Sequence, residues 1–105
     1  KRFITLSRAE ITAHGYLHTD NKLTVFAGST VRYGTAPGSE TLKELREDLV
    51  ENEIVILESG VFKFTQDYVF SAPSSATDFI LGGSNNGWIY WKDADGTLIN
   101  DSLRR

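Results

Sequence analysis

Two histidines and a glutamate recur at intervals of four near the start of the chain, as Glu10, His14 and His18. These residue types form the two-histidine, one-carboxylate set that binds transition metals. The segment that carries them, however, alternates apolar and polar residues with the period of two that is typical of a half-buried strand. Strand residues four apart are about 13 Å from each other, whereas two ligands of one ion lie within about 4 Å. The sequence therefore predicts a polar strand face, with no metal and no cofactor.

The strand that carries these histidines is predicted to pair with the next apolar segment. A short polar segment separates the alternation of residues 9–17 from that of residues 23–27, a pattern that indicates an antiparallel hairpin. The small apolar residues of the two strands face each other only if a five-residue loop runs from His18 to Lys22. That register places His14 opposite Phe26.

Four ring side chains share this predicted strand face: His14, Tyr16, His18 and Phe26. If a helix covers the face, these rings belong to the core. If the face is open, they form a platform of the kind on which single-stranded nucleic acids and extruded bases stack, with Arg8 and Arg32 near in sequence for phosphate contact. Alternation alone does not distinguish the two interpretations.

A loop rich in glycine and asparagine runs from Gly82 to Gly87. A P-loop joins a strand to a helix and ends in Lys-Ser or Lys-Thr, whereas this loop follows a predicted helix and precedes a predicted strand. The side-chain amides of Asn85 and Asn86 are able to hydrogen-bond base edges, with Trp88 or Trp91 alongside for stacking. The alternative is a helix C-cap followed by an Asn-Gly turn and a strand anchored by its tryptophans.

Catalytic arrangements are not evident in the chain. Four carboxylates on one predicted helix are spaced three and four residues apart: Glu44, Glu47, Asp48 and Glu51. With Lys43 among them, this spacing is typical of a solvated charged face rather than of a general acid and base pair. No serine lies in a G-x-S-x-G motif, neither histidine has an orienting acid, and cysteine is absent. We therefore expect no enzymatic activity.

The chain has 105 residues, of which 40% are hydrophobic and 24% charged, and these values predict one soluble domain over residues 1–105. We recognise no signal peptide or transmembrane segment, and so expect a cytoplasmic protein without a membrane partner. The net charge of −3 argues against tight non-specific binding of nucleic acid, although residues 1–39 carry five Lys or Arg against two acids. Because methionine is absent, even at position 1, we expect a domain excised from a longer protein. Other domains of that protein are then its expected partners.

Four further strands complete the predicted sheet. Phe3–Leu6 is expected to be a short edge strand. Ile54–Leu57 and Val61–Phe64 flank Glu58–Gly60, which predicts a second hairpin with a three-residue loop. Trp88–Trp91 is predicted as the last strand.

Two helices are predicted. Apolar residues recur at helical spacing over residues 42–50, and Thr41 and Glu44 have the types and spacing of a capping box. Pro73 is suited to the first turn of the second helix, and Gly82-Gly83 to its end. We therefore predict an α+β domain with an antiparallel sheet of about five or six strands and two helices.

Several short blocks of the sequence resemble one bacterial family. They are Phe26–Ser29, Phe70–Ala76, Leu81–Trp88, Trp91-Lys92 and Gly96–Leu98. In this order they are similar to the domain of unknown function numbered 4357, over nearly the whole chain. The Ser-Pro-Ser and Asn-Gly-Trp blocks of that family are specific in combination.

The resemblance implies an accessory domain with no established catalytic activity. Such domains typically follow a GIY-YIG-type nuclease domain or occur in other bacterial proteins that handle nucleic acids. They are also similar to the RAMA domain, which is proposed to read DNA, including modified DNA. Matched by position, the candidate DNA contacts are Ser29, Ser71, Ser74, Ser84, Asn86, Trp88 and Lys92. The arguments from the residues themselves add Arg32 and Asn85.

Two positions depart from the family pattern. Ala72 stands where the family usually has serine, which removes a helix cap, and Gly83 stands where a basic residue is common, which removes a phosphate contact. The expected function is DNA binding that positions an attached nuclease or other nucleic-acid enzyme. The alternative is a protein-interaction or packing module that docks through its acidic helix and makes no DNA contact.

Overall fold

The structure, a computed structural model, describes residues 2–33, 38–83 and 86–103. Within these ranges the strands form two antiparallel sheets, one with the order β7-β3-β2-β1-β8 and one with the order β4-β6-β5. In chain order the elements are β1 (Phe3–Arg8), β2 (Ile11–Leu17), β3 (Leu23–Val25), β4 (Thr30–Val31), α1 (Glu40–Glu51), β5 (Val55–Glu58), β6 (Val61–Phe64), β7 (Tyr68–Phe70), α2 (Pro73–Leu81), a 3₁₀ helix (Gly87–Ile89), β8 (Trp91–Lys92) and α3 (Ile99–Ser102). The α+β class and the antiparallel pairing are confirmed. The larger sheet has five strands, within the predicted number, and the second hairpin forms a further three-stranded sheet with β4.

The first hairpin, β2 and β3, has the predicted register. Gly15 lies opposite Val25, and the Phe26 N–H donates to the carbonyl oxygen of His14 at 2.8 Å, so the five-residue loop is confirmed. A Cβ at position 15 would collide with the carbonyl oxygen of Thr24, so only glycine permits this close approach of the two strands.

The strand β1 is not the edge strand that we predicted. It pairs with β2 on one side and with β8 on the other, where Leu6 lies opposite Trp91 and Thr5 opposite Lys92. The predicted strand over Trp88–Trp91 is also wrong except at its last residue, because Gly87–Ile89 forms a 3₁₀ helix and β8 begins at Trp91. The pairing of β1 with β8 joins the two ends of the chain, and local periodicity carries no information about such a contact.

The second hairpin, β5 and β6, is tighter than predicted. Glu58 lies opposite Val61, so the loop consists of two residues, Ser59 and Gly60, and not three. Their φ angles are 54° and 85°, and a positive φ at both central residues is the type I′ geometry that matches the twist of paired strands.

The two predicted helices are present, with one different start. The N-cap of α1 is Ser39, whose Oγ accepts a hydrogen bond from the Leu42 N–H at 3.1 Å. The capping box at Thr41 and Glu44 is therefore wrong, because both residues already lie inside the helix. The second helix begins at Pro73 and ends before Gly82 (φ 81°), as predicted.

The core lies on the inner face of the five-stranded sheet, where α2 packs. The inward-pointing residues of β1, β2 and β3, such as Leu6, Leu17 and Val25, are fully buried. From α2, Phe79 contacts Phe70 of β7, with ring centroids 5.4 Å apart. The helix α1 packs against α2 and β5. No helix in the described part of the chain is long and apolar enough to cross a bilayer.

Candidate nucleic-acid interface

The other face of the five-stranded sheet, here called the open face, is exposed to solvent. Side chains at alternate positions of β2 are buried and exposed in turn, as strand geometry requires. Phe3 on β1 is 58% exposed and Val69 on β7 is 52% exposed. The residues of the open face are Phe3, Thr5, Ser7, Thr12, His14, Tyr16, Thr24, Phe26, Val69 and Lys92. The face that carries His14, Tyr16 and Phe26 was expected either to be covered by a helix or to be open. In the described part of the chain, no helix covers it.

Four rings form a continuous row across the open face. The ring centroids are 6.1 Å apart for Phe26 and Phe3, 4.9 Å for Phe3 and Tyr16, and 5.0 Å for Tyr16 and His18. The row exists because Phe3 lies directly opposite Tyr16, and because His18 follows the end of β2 two positions after Tyr16. Sequence reasoning identified the rings of β2 and β3 but missed Phe3. The signal that identifies Phe3 is the register of β1 against β2, because this register places the Phe3 ring beside Tyr16.

Each histidine is held by a threonine on a neighbouring strand. Nδ1 of His14 lies 3.2 Å from Thr5 Oγ1, and Nε2 of His18 lies 2.7 Å from Thr24 Oγ1. The second ring nitrogen of each histidine has no hydrogen-bond partner among the described residues. Both imidazoles are therefore oriented, with one polar atom left for a ligand.

The geometry gives the two histidines no metal partner. Glu10 lies in the turn between β1 and β2, away from the strand positions of His14 and His18. Across residues 2–33, 38–83 and 86–103, no group of three or more His, Asp or Glu side chains is arranged to hold a metal ion.

Charge is divided between the two sheets. None of the open-face residues is acidic, and Lys92 supplies a cation beside Thr5. The exposed carboxylates of α1 lie next to the other sheet, against β5: Glu40, Glu44, Glu47, Asp48 and Glu51. The carboxylates of α1 thus lie outside the open face.

The two arginines proposed for phosphate contact differ in their surroundings. The Arg8 guanidinium is exposed and lies 5.0 Å from the centroid of the Tyr90 ring, a cation–π contact. Arg32 donates from Nη1 to the carbonyl oxygen of Leu81 at 3.2 Å, and its backbone N–H donates to Ile80 at 2.8 Å. Arg32 therefore satisfies carbonyls at the C-terminal end of α2.

A groove of about 480 Å³ adjoins the His18 end of the ring row. Its walls include Tyr16, His18 and Val69, and its rim carries Asp20 and Lys22. The Asp20 side chain accepts a hydrogen bond from the Lys22 N–H at 3.1 Å, which fixes the β2–β3 turn at the rim.

Ser29, one of the family-matched candidates, is part of the fold. It is 1% exposed. Its Oγ accepts from the His14 N–H at 3.0 Å and donates to the His14 carbonyl oxygen at 3.3 Å. The Ser29 side chain thus takes the place of a strand partner for His14 and hydrogen-bonds both backbone polar groups of this residue.

The two blocks that carry the family resemblance touch each other, and we call this contact the signature junction. It comprises Pro73, Ser74 and Thr77 of α2 with Gly87 and Trp91. A Cβ at Gly87 would collide with the backbone of Pro73 and Ser74. Trp91 Nε1 donates to Thr77 Oγ1 at 2.9 Å, and this hydroxyl donates to the Pro73 carbonyl oxygen at 2.8 Å.

The remaining candidates lie around this junction. Asn86 is exposed, and its Oδ1 accepts from the Trp88 N–H at 3.1 Å, which caps the 3₁₀ helix. Trp88 is half-buried and packs on the core. Ser71 is exposed and Ser74 half-buried at the start of α2. Two candidates, Ser84 and Asn85, lie outside the described residues.

Lys92 is the family-matched candidate that shares a surface with His14, Tyr16 and Phe26. The structure brings these four residues together on the open face. Ser29 and Arg32 are instead engaged within the fold.

The fold and this surface define an α+β domain with an exposed aromatic sheet face. The family model described as a domain of unknown function, DUF4357, matches residues 3–102, and the chain belongs to this family. No curated protein and no solved structure gives a significant match to the chain.

Proposed function

We propose that the domain binds DNA through the open face, and that it thereby positions an attached nuclease or other nucleic-acid enzyme without catalysing a reaction itself. The observation that carries this proposal is the row of rings from Phe26 to His18, with Lys92 beside it. Aromatic side chains exposed in a group are a favourable surface for bases, because every base has a flat apolar face.

The cost of leaving Phe3 in water supports a ligand at this position. Phe3 is 58% exposed, although the fold has an apolar core on the opposite side of the same sheet. A contiguous exposed apolar patch with a polar rim is typical of an interaction site. Here the rim consists of threonines, histidines and Lys92, which offer hydrogen bonds and one positive charge to a polyanion.

The accessory role rests on the family resemblance. Domains of this type typically follow a GIY-YIG-type nuclease domain, so a binding surface here would hold DNA near the neighbouring enzyme. Because such domains are similar to the RAMA domain, the proposal includes binding of modified DNA.

The test is a fluorescence anisotropy titration of labelled DNA with the native chain and with Phe3→Ala. We expect saturable binding that weakens as salt rises, and an affinity about 5- to 100-fold lower for Phe3→Ala, the usual range for loss of one stacking ring. The control is Leu57→Ala, which removes an equally exposed apolar side chain from the other sheet (55% exposed) and should bind like the native chain. Equal affinity of all three proteins would contradict the proposal.

A second function is favoured by a different surface, which lies on the three-stranded sheet and α1. The Arg46 guanidinium of α1 lies 5.3 Å from the centroid of the Phe62 ring, and the centroid of the Tyr33 ring lies 5.2 Å from it. Leu57 on β5 is paired with Phe62 on β6. This patch adjoins the carboxylates of α1, a combination that suits a basic, partly apolar segment of another domain.

The test of this second function is calorimetric titration with a synthetic lysine–leucine peptide. Binding that Leu57→Ala weakens and Phe3→Ala leaves unchanged would support a protein-interaction module. The absence of binding to this peptide would remove the second function.

A further inference from the structure

We infer that the open face selects unpaired bases over duplex DNA, and that the groove beside Tyr16 and His18 receives the last base of the stacked row. This inference rests on the proposed function and names the form of nucleic acid that the surface takes. Three observations carry it: the number of available cations, the shape of the surface, and the dimensions of the groove.

The open face offers few cations to a phosphate backbone. Lys92 lies on the face and Lys22 at the groove rim. Arg2 already donates to the carbonyl oxygens of Leu17 and His18, and Arg8 lies opposite buried Ile11, at a register position of the core-facing side of the sheet. Duplex binding depends largely on neutralising many phosphates, whereas base stacking supplies a large part of single-strand affinity. Among the described residues, the surface has four rings and two cations, and this ratio favours unpaired bases.

The shape of the open face also disfavours the grooves of a duplex. Reading the major groove requires a protruding helix or a two-stranded ribbon. Here α2 lies on the opposite side of the sheet, where Phe79 packs against Phe70. In the described part of the chain the open face presents only strands, and its partly exposed rings can receive a flat base that is not already stacked in a duplex.

The groove has the dimensions and lining of a base subsite. Its volume of about 480 Å³ lies within the usual range of small-ligand sites, about 300–1,000 Å³. The rings of Tyr16 and His18 line the groove, and the Val69 side chain adds apolar surface to its lining. Asp20 and Lys22 at the rim provide an acceptor and a donor within reach of a base edge.

The experiment compares three labelled probes of one sequence by anisotropy: a single strand, a blunt hairpin duplex, and the same duplex with one bulged base. The native chain should bind the single strand about tenfold more tightly than the duplex, with the bulged probe between them. Tyr16→Ala should lower single-strand affinity about 5- to 100-fold and change duplex affinity little. Tyr16→Phe keeps the ring and should bind like the native chain.

The control is Tyr33→Ala, because Tyr33 is a more exposed tyrosine (52% exposed) that packs against Phe62 of the other sheet. It should leave all three affinities unchanged. Circular dichroism melts confirm that each variant is folded before it is titrated.

Two results would overturn the inference while the proposed function stands. One is equal affinity for single strand and duplex, with Tyr16→Ala lowering both alike. The other is a single-strand preference that depends on Phe3 and Phe26 but not on Tyr16 or the groove. Failure of every probe to bind would overturn both the inference and the proposed function.

Discussion

The signature junction and the open face both carry residues that the sequence marked as candidate contacts, but the fold uses them differently. At the signature junction, Gly87 packs on the backbone of Pro73, and the Trp91 indole is hydrogen-bonded to Thr77. The Thr77 hydroxyl donates in turn to the Pro73 carbonyl oxygen, so these polar groups of the junction hydrogen-bond to one another. On the open face, the rings of Phe3 and Tyr16 touch each other and solvent.

This difference explains why two short motifs far apart in sequence occur together. The Asn-Gly-Trp block needs glycine because the first turn of α2 occupies the space of its Cβ, and that turn begins at Pro73. A motif pair of this kind stabilises a tertiary contact. Its specificity as a family mark therefore says little about where a ligand binds.

Gly87→Ala should show the largest effect on the junction side of this comparison. The added Cβ meets backbone atoms of Pro73 and Ser74, which cannot rotate away. We expect a loss of about 3 kcal/mol in the free energy of unfolding, at the upper end of overpacking costs. Urea denaturation measures it, and a loss below about 0.5 kcal/mol would show that the contact is loose.

Thr77→Val should come next. The change keeps the volume but removes the hydroxyl that links Trp91 Nε1 to the Pro73 carbonyl, and both groups are inside the fold. Leaving them without partners should cost about 2 kcal/mol. Thermal denaturation checks this, with Thr77→Ser as the control that keeps the hydroxyl. If the valine and serine variants melt together, the hydroxyl has no role in stability.

Ala72→Ser should raise stability. Ala72 is the N-cap residue of α2 and makes no side-chain cap hydrogen bond. A serine there can accept from a free N–H of the first turn, which is worth about 1 kcal/mol. The melting temperature should therefore rise, while Ala72→Val, whose side chain has no acceptor for the cap, should give no such gain. A fall in the melting temperature of the serine variant would mean that its hydroxyl is misplaced.

Lys92→Gln should have the smallest effect, and it acts on the open face alone. The exposed side chain lies on the short strand β8, so unfolding should change by less than about 0.5 kcal/mol. The slope of log affinity against log salt for single-stranded DNA should fall by about 0.7, the value for one phosphate contact. An unchanged slope would show that Lys92 makes no phosphate contact.

The sequence predicted local features well and long-range ones poorly. Alternation and turn residues fixed the first hairpin with its His14–Phe26 register, and Pro73 and Gly82 marked both ends of α2. The position of β1 inside its sheet was missed because its second partner, β8, comes from the other end of the chain. Local pattern has no access to such pairings.

The candidate site was partly predictable for the same reason. Period-two alternation placed His14, Tyr16 and Phe26 on one side of a sheet, yet it did not show which side α2 would cover. Phe3 joined the row only through the β1–β2 register. The junction role of Gly87 depended on a contact with α2 that spacing does not reveal.

The central claim is that the ligand lies on the open face and that the signature junction is structural. Amide chemical-shift mapping tests it most directly, with an isotope-labelled chain titrated with a short single-stranded DNA. The account predicts shift changes concentrated in β1, β2 and the β2–β3 turn, at residues such as Phe3, Tyr16 and Lys22. Changes concentrated at Pro73, Gly87 and Trp88, with β1 and β2 unaffected, would contradict it.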